Sequence, residues 1–219
     1  MTSTSNIIAL NNISEPVKRV LFMGYGKNKT RLIDTLIDSN CEVHHTEAPI
    51  THKLEYDLIV CFGYTWRIPE RVIHNIGCPI LNLHIAYLPF NKGCHPNFWS
   101  FYENTPSGVT IYLVDKGMDT GPILYQKYVN FDETEVTFFQ TYQRLINEIE
   151  SLFINKLDEI LHNKWKSKPQ RGKGSFHLKK DLPKEFNGWD SIIEDEILSL
   201  DKILSRIKDK LSNIEGKDI

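Results

Sequence analysis

The sequence predicts an α/β protein built on a largely parallel, twisted sheet, and three observations support this class. First, strand-like apolar runs alternate with helix-like stretches along most of the chain. Second, residues 56–63 form an apolar run that ends in glycine, which is typical of a parallel strand covered on both faces. Third, the chain begins its folded part with a strand, a glycine turn and a helix, the order that opens nucleotide-binding α/β domains.

The first strand is predicted at 17–24 and leads into the turn Gly24-Tyr-Gly26-Lys-Asn-Lys29. A helix follows over roughly 30–39, because its apolar residues recur at helical spacing. The turn lacks the third glycine of the dinucleotide-binding fingerprint, since Lys29 occupies that position. Two interpretations stay open: the turn contacts a phosphate, with Lys27 as a candidate substrate contact, or it is only a tight turn.

The same patterns predict the remaining elements of the main domain. Further strands are predicted at 41–45, 56–63, 77–82, 107–114 and 122–129. Helices are predicted at 69–75 and 137–164. In the first of these helices Pro69 occupies the first turn, where proline is well tolerated. In the second, apolar side chains recur every three or four residues, which favours a long helix packed on the sheet.

The chain divides into three parts. Residues 1–16 form a polar tail, 17–164 the main domain, and 165–219 an extension with a basic linker, a short strand segment at 175–181 and a helix from about Asp190. That helix has a heptad-like apolar seam: Ile193, Ile197, Leu200, Leu204, Ile207, Leu211 and Ile214. The seam must be buried on its own domain or on a second subunit as a homodimer, and both alternatives stay open.

The composition limits the binding partners and the cellular compartment that we expect for this protein. The formal net charge of -2 disfavours nucleic acid as a partner. The chain has neither a positively charged signal-peptide start nor a run of about 20 apolar residues, so we expect a cytoplasmic protein that does not enter a membrane. The four cysteines show no Cys-x-x-Cys spacing, so we expect reduced thiols, no zinc and no other metal.

The chemistry is predicted to lie in two stretches. In Asn82-Leu-His84, at the end of a strand, the two polar side chains emerge on one face. Asp119 follows the strand 107–114 in a turn bracketed by glycines. An amide donor and an imidazole can stabilise the oxyanion formed when an amine attacks an acyl carbon, and histidine can move the proton. A carboxylate beside the histidine can orient a water or the imidazole ring, and it can stabilise the imidazolium. Each residue alone is more often structural, so the hypothesis depends on their joint arrangement.

These stretches resemble the folate-dependent formyltransferases over roughly residues 17–160. The resemblance is carried by Asn82-Leu-His84, Leu88-Pro89, Gly93, Gly108-Val-Thr110 and Asp115-Lys-Gly-Met-Asp119-Thr-Gly121. It implies a Rossmann-like fold, Asn82, His84 and Asp119 as the catalytic residues, and 10-formyltetrahydrofolate as the formyl donor. It also implies a pterin pocket lined by Trp66, Arg67, Ile68, Asp115, Gly117, Met118 and Gly121. Few residues separate Cys41 from Asp57, which leaves the number of strands open.

Within that family, the run from Phe90 to Ser100 is most similar to sugar-nucleotide N-formyltransferases. This implies an acceptor amine on a nucleotide-linked amino-dideoxy sugar, dTDP-4-amino-4,6-dideoxyglucose for example, used in surface polysaccharide such as O-antigen. The candidate substrate-binding residues are Lys27, Lys92, His95, Asn97 and Trp99. Trp99 could equally be a core aromatic. Two alternatives stay open: an enzyme acting on glycinamide ribonucleotide, and a module that binds folate or a nucleotide without turnover.

Overall fold

The computed structural model describes residues 6–52, 54–131 and 137–215, with backbone alone at residue 204 and residues 206–215. The strands are β1 Ile8–Ala9, β2 Lys18–Gly24, β3 Cys41–Thr46, β4 Leu58–Phe62, β5 Ile80–His84, β6 Lys92–Gly93, β7 Gly108–Leu113, β8 Ile123–Tyr128 and β9 Phe176–His177. The helices are α1 Leu32–Asp38, α2 Glu70–Asn75, α3 Pro96–Tyr102, α4 Phe138–Asn155, α5 Leu157–Leu161 and α6 Ile193–Glu215.

The central sheet has the strand order β1-β3-β2-β4-β5-β7-β8. The four central strands β3, β2, β4 and β5 are parallel to one another. At one edge β1 runs antiparallel to β3, and at the other edge β7 runs antiparallel to β5 and β8 antiparallel to β7. The predicted α/β class with a mainly parallel sheet is therefore confirmed for the centre of the sheet. The carboxyl ends of β2, β4 and β5 lie along one edge, where open α/β sheets bind their ligands.

The strand β2 shows why its sequence is apolar throughout. Val20 and Phe22 are buried on the face that α1, α4 and α5 cover, and Leu21 and Met23 on the face that α2 covers. All four side chains are completely inaccessible to solvent. A strand covered on both faces has no polar side, so the alternation typical of a half-exposed strand is missing.

The long helix predicted at 137–164 is in fact two helices, α4 and α5. Helix α4 begins with a capping box between Thr137 and Gln140, and the backbone leaves helical geometry at Lys156. Both helices bury their apolar sides in the same core cluster. The apolar spacing is thus correct over the whole stretch, but apolar spacing does not report a bend at one residue.

Helix α3 was not predicted from the sequence. It begins with Pro96 at its first position, and five of its seven residues are buried. Because nearly the whole circumference is covered, the segment lacks the polar face that makes a surface helix recognisable.

The extension packs along the main domain. Strand β9 pairs in parallel with β6. At the start of α6, Ile193, Ile197 and Leu200 contact an aromatic cluster that contains Phe98 and Phe138. The first part of the predicted seam is therefore buried on its own chain, while the seam residues from 204 onwards lie outside the described side chains. Within the described ranges, no helix combines the length and apolar character needed to cross a membrane.

Candidate active site

The structure brings Asn82, His84 and Asp119 together. Asn82 and His84 lie on β5 with one residue between them, and Asp119 lies in the turn that follows β7. Nε2 of His84 is 3.6 Å from Oδ2 of Asp119, and about a tenth of each side chain is exposed. The turn therefore folds back over the carboxyl end of β5, as the hypothesis requires.

Tyr112 joins Asn82 to Asp119. It pairs directly with Asn82 across β5 and β7. Nδ2 of Asn82 donates to the Tyr112 hydroxyl at 2.9 Å, and that hydroxyl donates to Oδ1 of Asp119 at 2.5 Å. Burial, followed by the charge of Asp119, raises the pKa of Tyr112 well above its usual range. The phenol consequently keeps its proton and remains a donor. Tyr112 was not a candidate from the sequence, because only the strand register places it opposite Asn82.

Asn91 determines which nitrogen of His84 carries the proton. Nε2 of His84 lies 3.1 Å from the Asn91 carbonyl oxygen. Since a carbonyl oxygen can only accept a hydrogen bond, the neutral imidazole holds its proton on Nε2, which leaves the lone pair on Nδ1. Nδ1 is therefore the atom of His84 that can take a proton. Asn91 is itself 1% exposed and was also missed from the sequence.

Two donors hold the Asp119 carboxylate. Besides Tyr112, the backbone N–H of Gly93 donates to Oδ2 at 2.6 Å. Gly93 has a φ of 86°, and a Cβ at this position would lie 2.2 Å from the carbonyl oxygen of His177. Only glycine permits both this backbone conformation and the close approach of β9. The glycine of the sequence motif is thus explained by the geometry of the carboxylate site.

The extension supports these loops directly. Nε2 of Gln170 donates to the backbone oxygens of Asp119 and Gly121, at 2.8 and 2.9 Å. The backbone N–H of Asn91 donates to Oγ of Ser175 at 2.9 Å. The segment predicted as a linker and short strand therefore contacts both the loop that orients His84 and the turn that carries Asp119. Gln170 and Ser175 were not candidates from the sequence.

The two loops predicted to line the pterin pocket contact each other. Nη2 of Arg67, in the loop after β4, donates to the Lys116 carbonyl oxygen at 3.2 Å. Within the turn, Oδ1 of Asp115 accepts from the backbone N–H of Gly117 at 3.0 Å and from Oγ1 of Thr120 at 2.7 Å. Asp115 and Gly117 thus shape the turn that presents Asp119.

The other residues predicted for that pocket divide into two kinds. Trp66 and Met118 are 53% and 46% exposed and present apolar surface on the two loops. Ile68 is 7% exposed and packs in the core beneath α2. Gly121 allows a close approach, since a Cβ there would lie 1.7 Å from the Leu113 carbonyl oxygen. The exposed pair is available to a ligand, whereas the buried pair gives the loops their shape.

The candidate substrate residues lie in different places. Nζ of Lys27 is 2.7 Å from Asp34, and Lys92 lies in β6, where its backbone pairs with β9. His95 and Asn97 line a cavity of about 370 Å³. Trp99 is 6% exposed and lies in a core cluster, which corresponds to the core alternative left open from the sequence. Its ring stacks on the imidazole of His177, with centroids 3.8 Å apart.

The cysteines in the core are not nucleophiles. Cys61 pairs with Asn82 across β4 and β5, and burial raises the pKa of its thiol far above the usual range. Burial likewise raises the pKa of Cys78 to about 11. All four cysteines are free thiols. Among the described residues, no group of three or more histidine, cysteine or acidic side chains is arranged to hold a metal ion.

Comparison with known proteins identifies the class. Residues 35–157, more than half of the chain, match the family described as formyl transferase, so the chain belongs to that family. It is 29% identical over 142 residues to the dTDP-4-amino-4,6-dideoxyglucose formyltransferase of Mycobacterium tuberculosis. The aligned region covers 65% of this chain and 58% of that protein. The chain thus spans less than two thirds of the length of that relative. It is 33% identical over 97 residues to the phosphoribosylglycinamide formyltransferase of Bacillus subtilis, covering 44% of this chain and 49% of that one.

A solved structure is similar over a larger share of both chains. The formyltransferase PseJ from Anoxybacillus kamchatkensis superposes with a TM-score of 0.75 and is 35% identical, covering 80% of this chain and 96% of that chain. That crystal structure contains UDP-4,6-dideoxy-4-formamido-L-AltNAc and tetrahydrofolate.

Proposed function

We propose that this chain transfers a formyl group from 10-formyltetrahydrofolate to the amino group of a nucleotide-linked 4-amino-4,6-dideoxy sugar. One observation carries the proposal: Asn82, His84 and Asp119 form a connected cluster where β5 ends, through Tyr112 and the 3.6 Å contact between His84 and Asp119. Membership of the formyl transferase family and the likeness to PseJ support the reaction class.

Each side chain of the cluster has a distinct role in the proposal. One N–H of Asn82 is committed to Tyr112, which leaves the other to donate to the oxygen of the formyl group as charge develops there. As the amine forms its bond to the formyl carbon, Nδ1 of His84 accepts the proton that the amine releases. It then returns that proton to the folate nitrogen, which leaves when its bond to the formyl carbon breaks. Asp119 stabilises the resulting imidazolium, because its Oδ2 lies beside Nε2 of that ring. These roles need no covalent bond between protein and substrate.

The donor side fits a folate. The exposed surfaces of Trp66 and Met118 suit the faces of a flat ring system, and the backbone of the 115–121 turn offers hydrogen-bonding groups for its polar edge. Arg67 holds this turn against the loop after β4. When bound, the folate supplies the formyl carbon. Ile68, Asp115, Gly117 and Gly121 contribute by shaping the two loops.

The names of two relatives narrow the choice of acceptor substrate. The Mycobacterium tuberculosis relative is named for a 4-amino-4,6-dideoxy sugar on dTDP, and PseJ holds a 4-formamido-4,6-dideoxy sugar on UDP. Nitrogen at C4 of a 4,6-dideoxyhexose is common to both. We infer a UDP- or dTDP-linked sugar of this kind, and the UDP form is the first to test because the match to PseJ covers nearly that whole chain. A role in surface polysaccharide such as O-antigen belongs to the same proposal.

Location and assembly complete the proposal. The four free thiols are in keeping with a cytoplasmic protein. The part of α6 beyond Leu200 continues the apolar seam, and we infer that it pairs with the same helix of a second copy. Light scattering coupled to size exclusion tests this: a mass of twice the chain supports the dimer, and a single-chain mass at high micromolar concentration contradicts it.

An acceptor panel with three variants tests the reaction. Asn82→Ala, His84→Asn and Asp119→Asn should each lower turnover by about 10²–10⁴-fold while the protein stays folded. Matched controls are Asn75→Ala, His74→Asn and Asp158→Asn, which lie on exposed helix surfaces and should leave turnover unchanged.

Each other outcome selects an alternative. Wild-type turnover in all three site variants refutes the assignment of the cluster. Transfer to glycinamide ribonucleotide and to no amino-sugar nucleotide selects the alternative of an enzyme acting on glycinamide ribonucleotide, as the name of the Bacillus subtilis relative suggests. Folate binding by calorimetry without formyl transfer to any amine selects the non-catalytic module.

A further inference from the structure

Strand β6 holds the Asp119 carboxylate on one side and pairs with the extension on the other. In a strand, successive backbone N–H groups point to opposite sides. The N–H groups of Lys92 and Cys94 both donate to carbonyl oxygens of the extension, at 3.1 and 2.8 Å. The N–H of Gly93, between them, points the other way and donates to Oδ2 of Asp119 at 2.6 Å. The carboxylate therefore occupies the place that a third strand would take.

The pairing of β6 with β9 sets the direction of the Gly93 N–H. A rotation of β6 that breaks its bonds to the extension also turns this N–H away from Asp119, because alternate amides of one strand turn together. The two strands fit closely, since a Cβ on Gly93 would lie 2.2 Å from the carbonyl oxygen of His177. The position of β9 on β6 is thus part of the geometry of the carboxylate site.

A strand of two residues needs side chains that anchor it, because so short a pairing is marginal by itself. Phe176, the first residue of β9, is 47% exposed, so its side chain contributes little burial. The side chain of His177, the second residue, is only 12% exposed. Its imidazole lies parallel to the indole of Trp99 on α3, with ring centroids 3.8 Å apart and planes inclined by 9°. His177 therefore supplies the buried anchor of β9.

Trp99 gives that anchor a fixed platform. It lies in the core cluster that contains Phe98 and Phe138, and its indole packs edge-on against the ring of Phe98 with centroids 5.0 Å apart. Nε2 of His177 also lies 3.2 Å from Oε1 of Glu103, the residue after α3, although this contact lacks the geometry of a hydrogen bond. The parallel stack is therefore the contact that fixes the imidazole on α3.

We propose that His177 is a positioning residue for formyl transfer, because its ring, stacked on α3, holds β9 on β6 and thereby directs the Gly93 N–H towards Asp119. The inference rests on the proposed function, in which Asp119 stabilises the imidazolium of His84. His177 reaches Asp119 only through the backbone of the two strands. It lies outside residues 35–157, the part that matches the formyl transferase family, so the extension supplies this element of the site.

The kinetics of two variants test this role. His177→Ala removes the ring and should lower the kcat by about 10- to 150-fold, the factor for a lost hydrogen bond to a charged group, with little change in the KM of either substrate. His177→Phe keeps a flat ring on Trp99 and should retain most of the kcat. His162→Ala removes a histidine that lies just after α5 and is 50% exposed, so it is the control and should change nothing.

A second mutation separates positioning from general support of the fold. Asp119→Ala leaves no carboxylate to hold, so adding His177→Ala to it should cause no further loss of kcat. If the two losses multiply instead, His177 does not act through Asp119 and the inference is overturned. An unchanged kcat in His177→Ala also overturns it. Equal losses in His177→Ala and His177→Phe do the same, because the stacked ring would then not be what holds β9.

Amide hydrogen exchange followed by NMR tests the same link without turnover. His177→Ala should speed the exchange of the Gly93 amide and of its two neighbours in the chain, while the amides of β5 keep their wild-type rates. A wild-type rate at Gly93 overturns the inference, and so does faster exchange throughout β5, which would show that His177 only supports the fold. If the wild type transfers no formyl group to any amine, the proposed function fails, and the exchange rates still decide whether His177 holds Gly93.

Discussion

Removing one oxygen atom tests how the proposed catalytic cluster of Asn82, His84 and Asp119 is organised. Tyr112→Phe keeps the ring, which is 4% exposed, and deletes only the hydroxyl. Asp119 then loses a donor at 2.5 Å, and Asn82 loses an acceptor at 2.9 Å. Asp119 keeps its bond from the Gly93 backbone, so the turn stays in place while one carboxylate oxygen and the Asn82 amide lose their orientation.

The magnitude follows from the kind of bonds that are lost. A hydrogen bond to a charged group contributes about 1.5–3 kcal/mol, and one between neutral groups about 0.5–1.5 kcal/mol. If the hydrogen bond to charged Asp119 stabilises only the transition state, its loss lowers the kcat by about 10- to 150-fold, because each 1.36 kcal/mol changes the rate tenfold.

Steady-state formyl transfer measures the change in kcat, and urea unfolding measures the change in stability. Tyr128→Phe is the matched control, because it deletes a phenolic hydroxyl from a side chain that is 52% exposed. A Tyr112→Phe enzyme with lower stability but unchanged kcat would refute the reasoning and leave Tyr112 with a purely structural role.

Three further predictions test the surroundings of the site. Gly93→Ala should lose at least about 2 kcal/mol of unfolding free energy and most activity, because its Cβ would lie 2.2 Å from a carbonyl oxygen of β9. The control Gly77→Ala has a similar φ of 75° but open space around its Cβ, so it should cost only about 1 kcal/mol. Equal losses of the two variants in urea unfolding would contradict this prediction. Gln170→Ala should lower kcat about tenfold with little change in folate KM, since it releases the backbone of Asp119; an unchanged kcat would show that the extension does not position that turn. Cys78, with a pKa of about 11, should be about 0.1% thiolate at pH 8. Iodoacetamide followed by mass spectrometry should therefore show that Cys78 is alkylated far more slowly than a free thiol in solution. An alkylation rate comparable to that of the free thiol would disprove the burial argument.

The sequence contained the features that depend on residues close together in the chain. Strand β2 is recognisable because a strand covered on both faces is apolar throughout, and α1 because its apolar side chains recur at helical spacing. Asn82 and His84 lie on one face because extended backbone repeats every two residues. The glycine-bracketed turn around Asp119 was equally visible in the sequence, although its distance from His84 was not.

The tertiary structure decided everything that depends on residues far apart in the chain. Tyr112 lies opposite Asn82 only because β7 runs antiparallel to β5 in one particular register. Gly93 meets His177 across 84 positions of sequence, through a pairing of two residues that has no periodicity to detect. Local patterns specify backbone conformation and which side of an element is apolar, whereas the packing of whole elements sets the distances between their polar side chains. For this protein, local sequence patterns identify the candidate catalytic residues. The packing of whole elements, including the extension that supports the loops, brings these residues together in one site.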